Sequence, residues 1–378
     1  MIRILSKGLK ILLLAIFLLF GNVVNAQTTF SKIAEFKIDL LNPIQLIDYY
    51  PAKELFLGYI SQGSKGNKIT LFSKTGKVLV SEFLQGEGPN QIVESINQIG
   101  FSEEGTIWIH SSQNLYVYDQ NLRKLKKMPF NSQYNVTLYS PKKLNFFYEA
   151  GVKGDYSFIS QPSGHSTFFG FSDFLKENLI EIFNPKSNSL YKMAPVSERS
   201  NFSKLDPSIE SIYSPVYSLD KSRRKLYLTT TLDDEISIID LKSQDVPRSI
   251  KVDHGDFSVL KSSKISLSNI PSTGPITLGA KNKNIYVLSD GSIVLEYIKA
   301  ISPGVYEQKL AEDKNYHHYG DPNYHRLIFI EGGRQIGGDI EIPYGEISML
   351  LPDDTFLIKL LNPAEEEDFT RYGIFELR

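Results

Sequence analysis

Residues 86–127 read GEGPNQIVESINQIGFSEEGTIWIHSSQNLYVYDQNLRKLKK. A Gly-Pro turn at 86–89 leads into an apolar strand ending at Phe101, and Glu103-Glu104-Gly105 forms a polar turn. Two short alternating strands follow, at 106–110 and 114–119. Period-two alternation bounded by Gly, Asp, Asn and Ser is the signature of a strand rather than a helix.

The same order returns along the chain. Residues 67–80 read NKITLFSKTGKVLV, two strands around a Lys-Thr-Gly turn. Residues 220–242 read DKSRRKLYLTTTLDDEISIIDLK, with an acidic turn between KLYLTT and EISIIDL. Residues 281–299, KNKNIYVLSDGSIVLEYIK, turn at Ser-Asp-Gly, and residues 351–377 pair LPDDTFLIKLL with FTRYGIFEL across a charged loop. Return at intervals of about 40–60 residues is the spacing of radial β-repeats. The sequence therefore predicts an all-β chain, a β-propeller. Six blades with long loops is the expected number, with seven as the alternative. The long loops fall at 148–171, 184–218 and 311–325. Residues 31–40, SKIAEFKIDL, alternate as a strand and are expected to pair beside 370–377, closing the ring and leaving no exposed edge.

The first 26 residues stand apart. Arg3, Lys7 and Lys10 precede the apolar run ILLLAIFLLF, and Val24 and Ala26 place small residues before Gln27. This is the pattern of a cleaved secretory signal, its apolar run shorter than the roughly 20 residues that span a bilayer. The expected product is one propeller domain over 27–378, with no transmembrane segment. Export to the periplasm or the medium follows. The chain holds no cysteine, so disulfides and the lipid-bearing cysteine of a lipoprotein are both excluded. The 21 Tyr and 23 Phe suit half-buried pleated surfaces. A net charge of −2 gives no global field for nucleic acid.

Residues 86–122, with their GxGP turn, following strand, Gly before the next strand and strand ending in Asp119, resemble an NHL-type repeat. Taken whole, the chain resembles the secreted, NHL/TolB-like six-bladed propeller proteins of Gram-negative envelopes, with residues 368–377, DFTRYGIFEL, as their closing blade. It departs from that pattern at Glu94-Ser95-Ile96, where a Pro usually opens the strand. The resemblance implies fold and compartment, and it brings no catalytic residues.

Candidate chemistry is sparse. Asp313, His317, His318, Asp321 and His325 in DKNYHHYGDPNYH have the composition of a transition-metal site but no established ligand spacing. A solvated loop with some ring stacking is the expected state, and no cofactor is expected. Acidic runs at 233–235 and 365–368 lack the alternation of a calcium loop and are expected to be solvated turns, as is the basic run Arg123, Lys124, Lys126 and Lys127. Gly86 and Gly88 are expected in a turn linking blades, since no helix follows to receive a phosphate. There is no GxSxG and no thiol nucleophile. Trp108, Tyr116 and Tyr118 are expected between blades, and Tyr49 and Tyr50 also belong to the aromatic core. The function that follows is a non-catalytic scaffold for a protein, peptide or glycan, bound by loops that include Tyr316, His317, His318, Tyr319 and His325. The alternative is a propeller hydrolase or lyase with a metal or carboxylate site at the channel mouth.

Overall fold

The computed structural model describes residues 29–63, 66–130, 142–148, 156–160, 178–199, 214–242, 248–255, 257, 278–361 and 368–378. They form six small sheets arranged as a ring, so the architecture is a six-bladed β-propeller.

Strand β1 (Phe30–Ile38) leaves the N-terminal end for the last blade. Blade 1 holds β2 (Ile44–Tyr50), β3 (Leu55–Ser61), β4 (Asn67–Ser73) and β5 (Val78–Glu82). Blade 2 holds β6 (Ile96–Phe101), β7 (Ile107–Ser111), β8 (Asn114–Tyr118) and β9 (Lys124–Pro129), joined by the two-residue β10 (Lys142–Lys143). Blade 3 holds β11 (Asn145–Tyr148), β12 (Tyr156–Ser160), β13 (Asn178–Asn184) and β14 (Ser189–Pro195). Blade 4 holds β15 (Pro215–Asp220), β16 (Lys225–Thr230), β17 (Glu235–Asp240) and β18 (Arg248–Lys251). Blade 5 holds β19 (Lys281–Val287), β20 (Ile293–Ile298), β21 (His325–Glu331) and β22 (Arg334–Glu341), with helix α1 (Pro303–Glu312) inserted between β20 and β21. Blade 6 runs β23 (Gly345–Leu350), β24 (Phe356–Leu360) and β25 (Thr370–Leu377), then β1.

Apart from the pairing of β10, neighbouring strands within a blade are antiparallel. Both faces of each blade are buried, because alternate side chains of one strand serve two different interfaces. In β7 and β8, Ile107, Ile109, Tyr116 and Tyr118 pack towards blade 1. Leu115 and Val117, with Trp108 beside them, pack towards blade 3. In β16, Leu226 and Leu228 face blade 3 while Tyr227 faces blade 5. Tyr49 and Tyr50, half-buried, pack against Phe56 and Phe101. Hydrophobic clusters of this kind occupy all six blade interfaces, so the core is a ring of wedges.

Closure follows the expected pairing, from Phe30 opposite Leu377 to Ile38 opposite Thr370. One expectation is corrected. β1 is the outermost strand of blade 6, so it is itself an edge. A register shift between Lys32 and Ala34 and the exposed Lys32, Glu35 and Lys37 blunt that edge.

The loop expectations are corrected as well. The 148–171 stretch contains β12, and 184–218 contains β14 and the start of β15. The rest of those two stretches, apart from a few residues flanking the strands, lies outside the described residues. Gly86 and Gly88 do sit in the turn from β5 to β6, held by Gln91 Oε1 accepting from Gly88 N–H at 2.8 Å. Neither described charge run is a simple solvated turn. Asp233 is buried in an ion pair with Arg199, Nε to Oδ2 2.8 Å. A buried turn acid needs such a partner, because desolvating an unpaired carboxylate costs several kcal/mol. Lys124 and Lys127 belong to β9 and lie over the Tyr116 ring. Residues 365–367 fall outside the described set.

Candidate channel-mouth site

In a propeller the first strand of each blade faces the central axis. Here the start of β2, β11, β15, β19 and β23 together line a cavity of about 740 Å³. Blade 2 departs from the pattern. Lys142 and Lys143 of β10 run parallel to β6, opposite Gln98 and Ile99, and cover it on the channel side. The chain then continues directly into β11, so one extended segment bonds to blade 2 and to blade 3 in turn. Leu144 N–H donates to Ile99 O at 2.8 Å. Gly100 permits this approach, since a Cβ there would stand 2.7 Å from Leu144 O. The outcome is two lysines in the channel where blade 2 would otherwise present β6.

Each channel cation is positioned by what lies behind it. Lys143 Nζ is 2.7 Å from Asp48 Oδ1, and the other carboxylate oxygen of Asp48 accepts Phe101 N–H at 2.8 Å. Lys283 bridges two carboxylates, Glu296 Oε1 at 3.2 Å and Glu346 Oε1 at 3.1 Å. Glu296 is fully buried and also accepts from Tyr286 Oη at 2.8 Å and Asn284 Nδ2 at 2.8 Å, and it pairs with His325 Nδ1 at 3.1 Å. Burial alone would raise the Glu296 pKa. Lys283 and His325, with the hydrogen bonds, overcome it and bring the carboxyl down to about 2. Burial disfavours the Lys283 cation, but the two carboxylates reverse the direction and hold its pKa above normal. Lys281, two residues earlier, places its Nζ 3.4 Å from the centre of the Tyr319 ring. Burial, with Lys283 and Lys142 adding repulsion, takes the Lys281 amine down to about 8. Burial also lowers Lys142, and it raises the Tyr217 phenol to about 12.

The segment expected to form a loop site folds otherwise. Helix α1 leads into two short 3-10 turns, His318–Gly320 and Pro322–Tyr324. Asp313 and His317 are exposed, while His318, Asp321 and His325 are buried. Asp321 caps the second turn through Asn323 N–H at 3.0 Å and accepts from Lys309 Nζ and Tyr316 Oη, each at 3.0 Å. His325 is engaged on both nitrogens, by Glu296 and by Tyr319 O at 3.0 Å. His318 meets Tyr324 edge-on and Tyr319 at a tilt, and neither of its ring nitrogens has a well-formed hydrogen bond. Burial lowers its pKa to about 4, with a slight opposing influence from the Lys299 backbone. Among the described residues no three of His, Asp or Glu are grouped so as to hold a metal. Of the sequence-predicted residues, Tyr319 touches a channel-facing strand through Lys281, and His325 reaches the channel wall through Glu296. Tyr316 and His318 pack within the insertion, and His317 points outward from it.

The lysines that line the cavity, and Lys281 beside it, were missed in the sequence. Lys142, Lys143, Lys281 and Lys283 stand at or just before the first strand of a repeat, and phasing the repeats would have flagged them.

No family model matches the sequence, and no curated protein matches it. Solved structures do. A member of the DUF4221 family from Bacteroides vulgatus superposes over 94% of this chain and 99% of its own, at 11% identity and a TM-score of 0.65. The likeness is one of fold. A Bacteroides fragilis protein aligns over 94% of this chain and 97% of its own, with 11% identity and a TM-score of 0.49. A gluconolactonase from Xanthomonas campestris covers 94% and 91%, with 10% identity and a TM-score of 0.46. Those two looser matches carry no argument about chemistry.

Proposed function

We propose that this chain is a non-catalytic, exported binding propeller whose ligand seats in the mouth of the central channel. The observation that carries the reading is the cavity of about 740 Å³, built from the starts of five inner strands plus β10. Its volume lies within the range of small-ligand sites, about 300–1,000 Å³, and its walls are sheet rather than loop. A rigid wall of this kind holds side chains in place before a ligand arrives.

The competing reading, a hydrolase or lyase, needs a carboxylate pair or metal ligands converging on the channel. The described channel carboxylates Asp48, Glu296 and Glu346 are each engaged by a lysine instead. Export rests on residues 1–26, and no described helix is long and apolar enough to cross a membrane. N-terminal sequencing of the exported protein should begin at Gln27.

The test is a plug. Ser348 lines the cavity from β23, so Ser348→Trp should abolish binding on glycan and peptide arrays while leaving the melting temperature near that of the parent. Equal array binding by the plugged protein would place the ligand elsewhere. Turnover of a bound array ligand would favour the hydrolase.

A further inference from the structure

The sign of the charge at the channel mouth narrows the ligand class. We infer, resting on the channel-mouth reading above, that the ligand is a carboxylate-bearing oligosaccharide of the uronic-acid type, held by Lys142, Lys281 and Lys283.

Three observations converge. First, among the described residues four lysines line the mouth, Lys142, Lys143, Lys283 and Lys359, with Lys281 beside them, against the carboxylates of Asp48, Glu296 and Glu346. Asp48 and Glu296 are buried in the wall and steady Lys143 and Lys283 from behind. Glu346 is the one described carboxylate that lines the cavity. Second, Lys281 is steadied by a ring rather than an acid, since its ammonium lies over Tyr319. A cation–π contact orients a charge without cancelling it. The repulsion that Lys281 feels from Lys283 and Lys142 reports a positive potential, and in a concave site with low-dielectric walls that potential attracts an anion. Third, the remaining lining is rich in neutral hydrogen-bonding groups, among them Asn67, Asn145, Asn284, Ser348 and Tyr59. Amides and hydroxyls beside point-charge ammoniums suit a ligand with many hydroxyls and few charges. No arginine lines the described cavity, so the planar, bidentate recognition that favours phosphate is missing. The cavity is also ringed by the starts of inner strands from five blades, unlike the extended groove that a nucleic-acid strand follows.

The experiment titrates the chain from Gln27 onward by calorimetry with trisaccharides of galacturonate, mannuronate and guluronate. Neutral galactotriose and sodium sulfate are run alongside. At least one uronate trisaccharide should bind, and its affinity should fall as sodium chloride rises from 50 to 500 mM, about the range over which screening shortens below cavity dimensions. Lys142→Gln/Lys281→Gln, checked for an unchanged melting temperature, should weaken binding by about tenfold or more, the loss of a charge-assisted hydrogen bond. If that variant melts early, Lys281→Gln alone is the replacement. Binding of galactotriose as tight as the uronates, unaffected by the lysine changes but lost in Ser348→Trp, overturns the anionic ligand and leaves the channel-mouth reading standing. Uronate binding that survives Ser348→Trp and the equivalent rim plug Asn67→Trp overturns both. Sulfate competing at the affinity of the trisaccharides removes the sugar from the proposal. Failure of every uronate to bind at millimolar concentration refutes it outright.

Discussion

Glu296→Gln is the perturbation that probes the channel wall most directly. The carboxylate is fully buried, with Lys283 at 3.2 Å, His325 at 3.1 Å and two neutral donors at 2.8 Å. Its pKa is lowered from 4.5 to about 2, which corresponds to about 3 kcal/mol of folding stability. The sign follows from linkage. The unfolded chain takes up the proton first as pH falls, so the stabilisation is complete above pH 4.5 and is lost as pH drops towards 2. Glutamine keeps the shape and some of the hydrogen bonding, but it offers no charge to Lys283, which then leans on the half-exposed Glu346 alone. Removing one partner of a buried pair costs about 3–5 kcal/mol, in agreement with the pKa-based figure. Guanidinium denaturation at pH 7, followed by Trp108 fluorescence, should show the variant less stable by about 3 kcal/mol. At pH 3 more than about half of that gap should have closed, because the parent carboxylate is by then almost fully protonated in the unfolded chain and still mostly ionised in the folded one. Adding Lys283→Met to Glu296→Gln should recover part of the loss, since the stranded cation goes with it. A gap below about 1 kcal/mol at pH 7, or one unchanged between pH 7 and pH 3, would refute the pairing.

Four further outcomes are expected. Deleting residues 27–40 removes β1 from blade 6 together with the Phe36 stack on Tyr372 and Phe56, and the ring should lose its single cooperative melting transition. Gly100→Ala sets a Cβ 2.7 Å from Leu144 O; it should destabilise by about 1–3 kcal/mol and show faster amide exchange at Leu144. Asp233→Ala removes the nearest carboxylate of the buried Arg199 and leaves it Glu235 at 3.8 Å, and should cost about 3 kcal/mol in chemical denaturation. His318→Phe removes a buried imidazole whose pKa is held down to about 4 from 6.5. A lowered histidine pKa gives stability that is present above pH 6.5 and lost as pH falls towards 4, so the variant's stability should be flatter across that window than the parent's.

The blade structure was legible because turns punctuate it. Lys-Thr-Gly at 74–76 and Ser-Asp-Gly at 289–291 sit where β4 meets β5 and where β19 meets β20, with Gly76 and Gly291 at positive φ. Closure was legible as well, since 31–40 alternates as a strand and a ring needs a strand from one end to complete the blade begun at the other. What misled the loop assignment was weak strand signal. β12, YSFIS, lies among Gly- and Ser-rich residues, and β14, SLYKMAP, ends in proline. Neither alternates strongly: β12 is buried on both faces, while β14 is an outer strand with no buried residue.

The channel lysines were hidden for a different physical reason. In KNKNIYV, Asn282 turns into the wall and donates to Thr230 O and Asp233 O, at 2.8 and 2.7 Å, while Lys283 turns towards the axis. In a solitary sheet, a strand opening on alternating lysine and asparagine would put its charges on an open solvent face. The axial position of β19 instead puts Lys283 in a cavity shared with the lysines of other strands, where each cation raises the potential felt by the next. The sequence therefore contains the charges but not their convergence, which depends on six blades closing into one ring. The histidine-rich insertion shows the converse. His317, His318 and His325 are neighbours along the chain, yet a helix and two tight turns send one outward and fold the other two into separate packing roles. Proximity in sequence suggested a site there, and proximity around the axis puts the concentration of charge at Lys142, Lys281 and Lys283 instead.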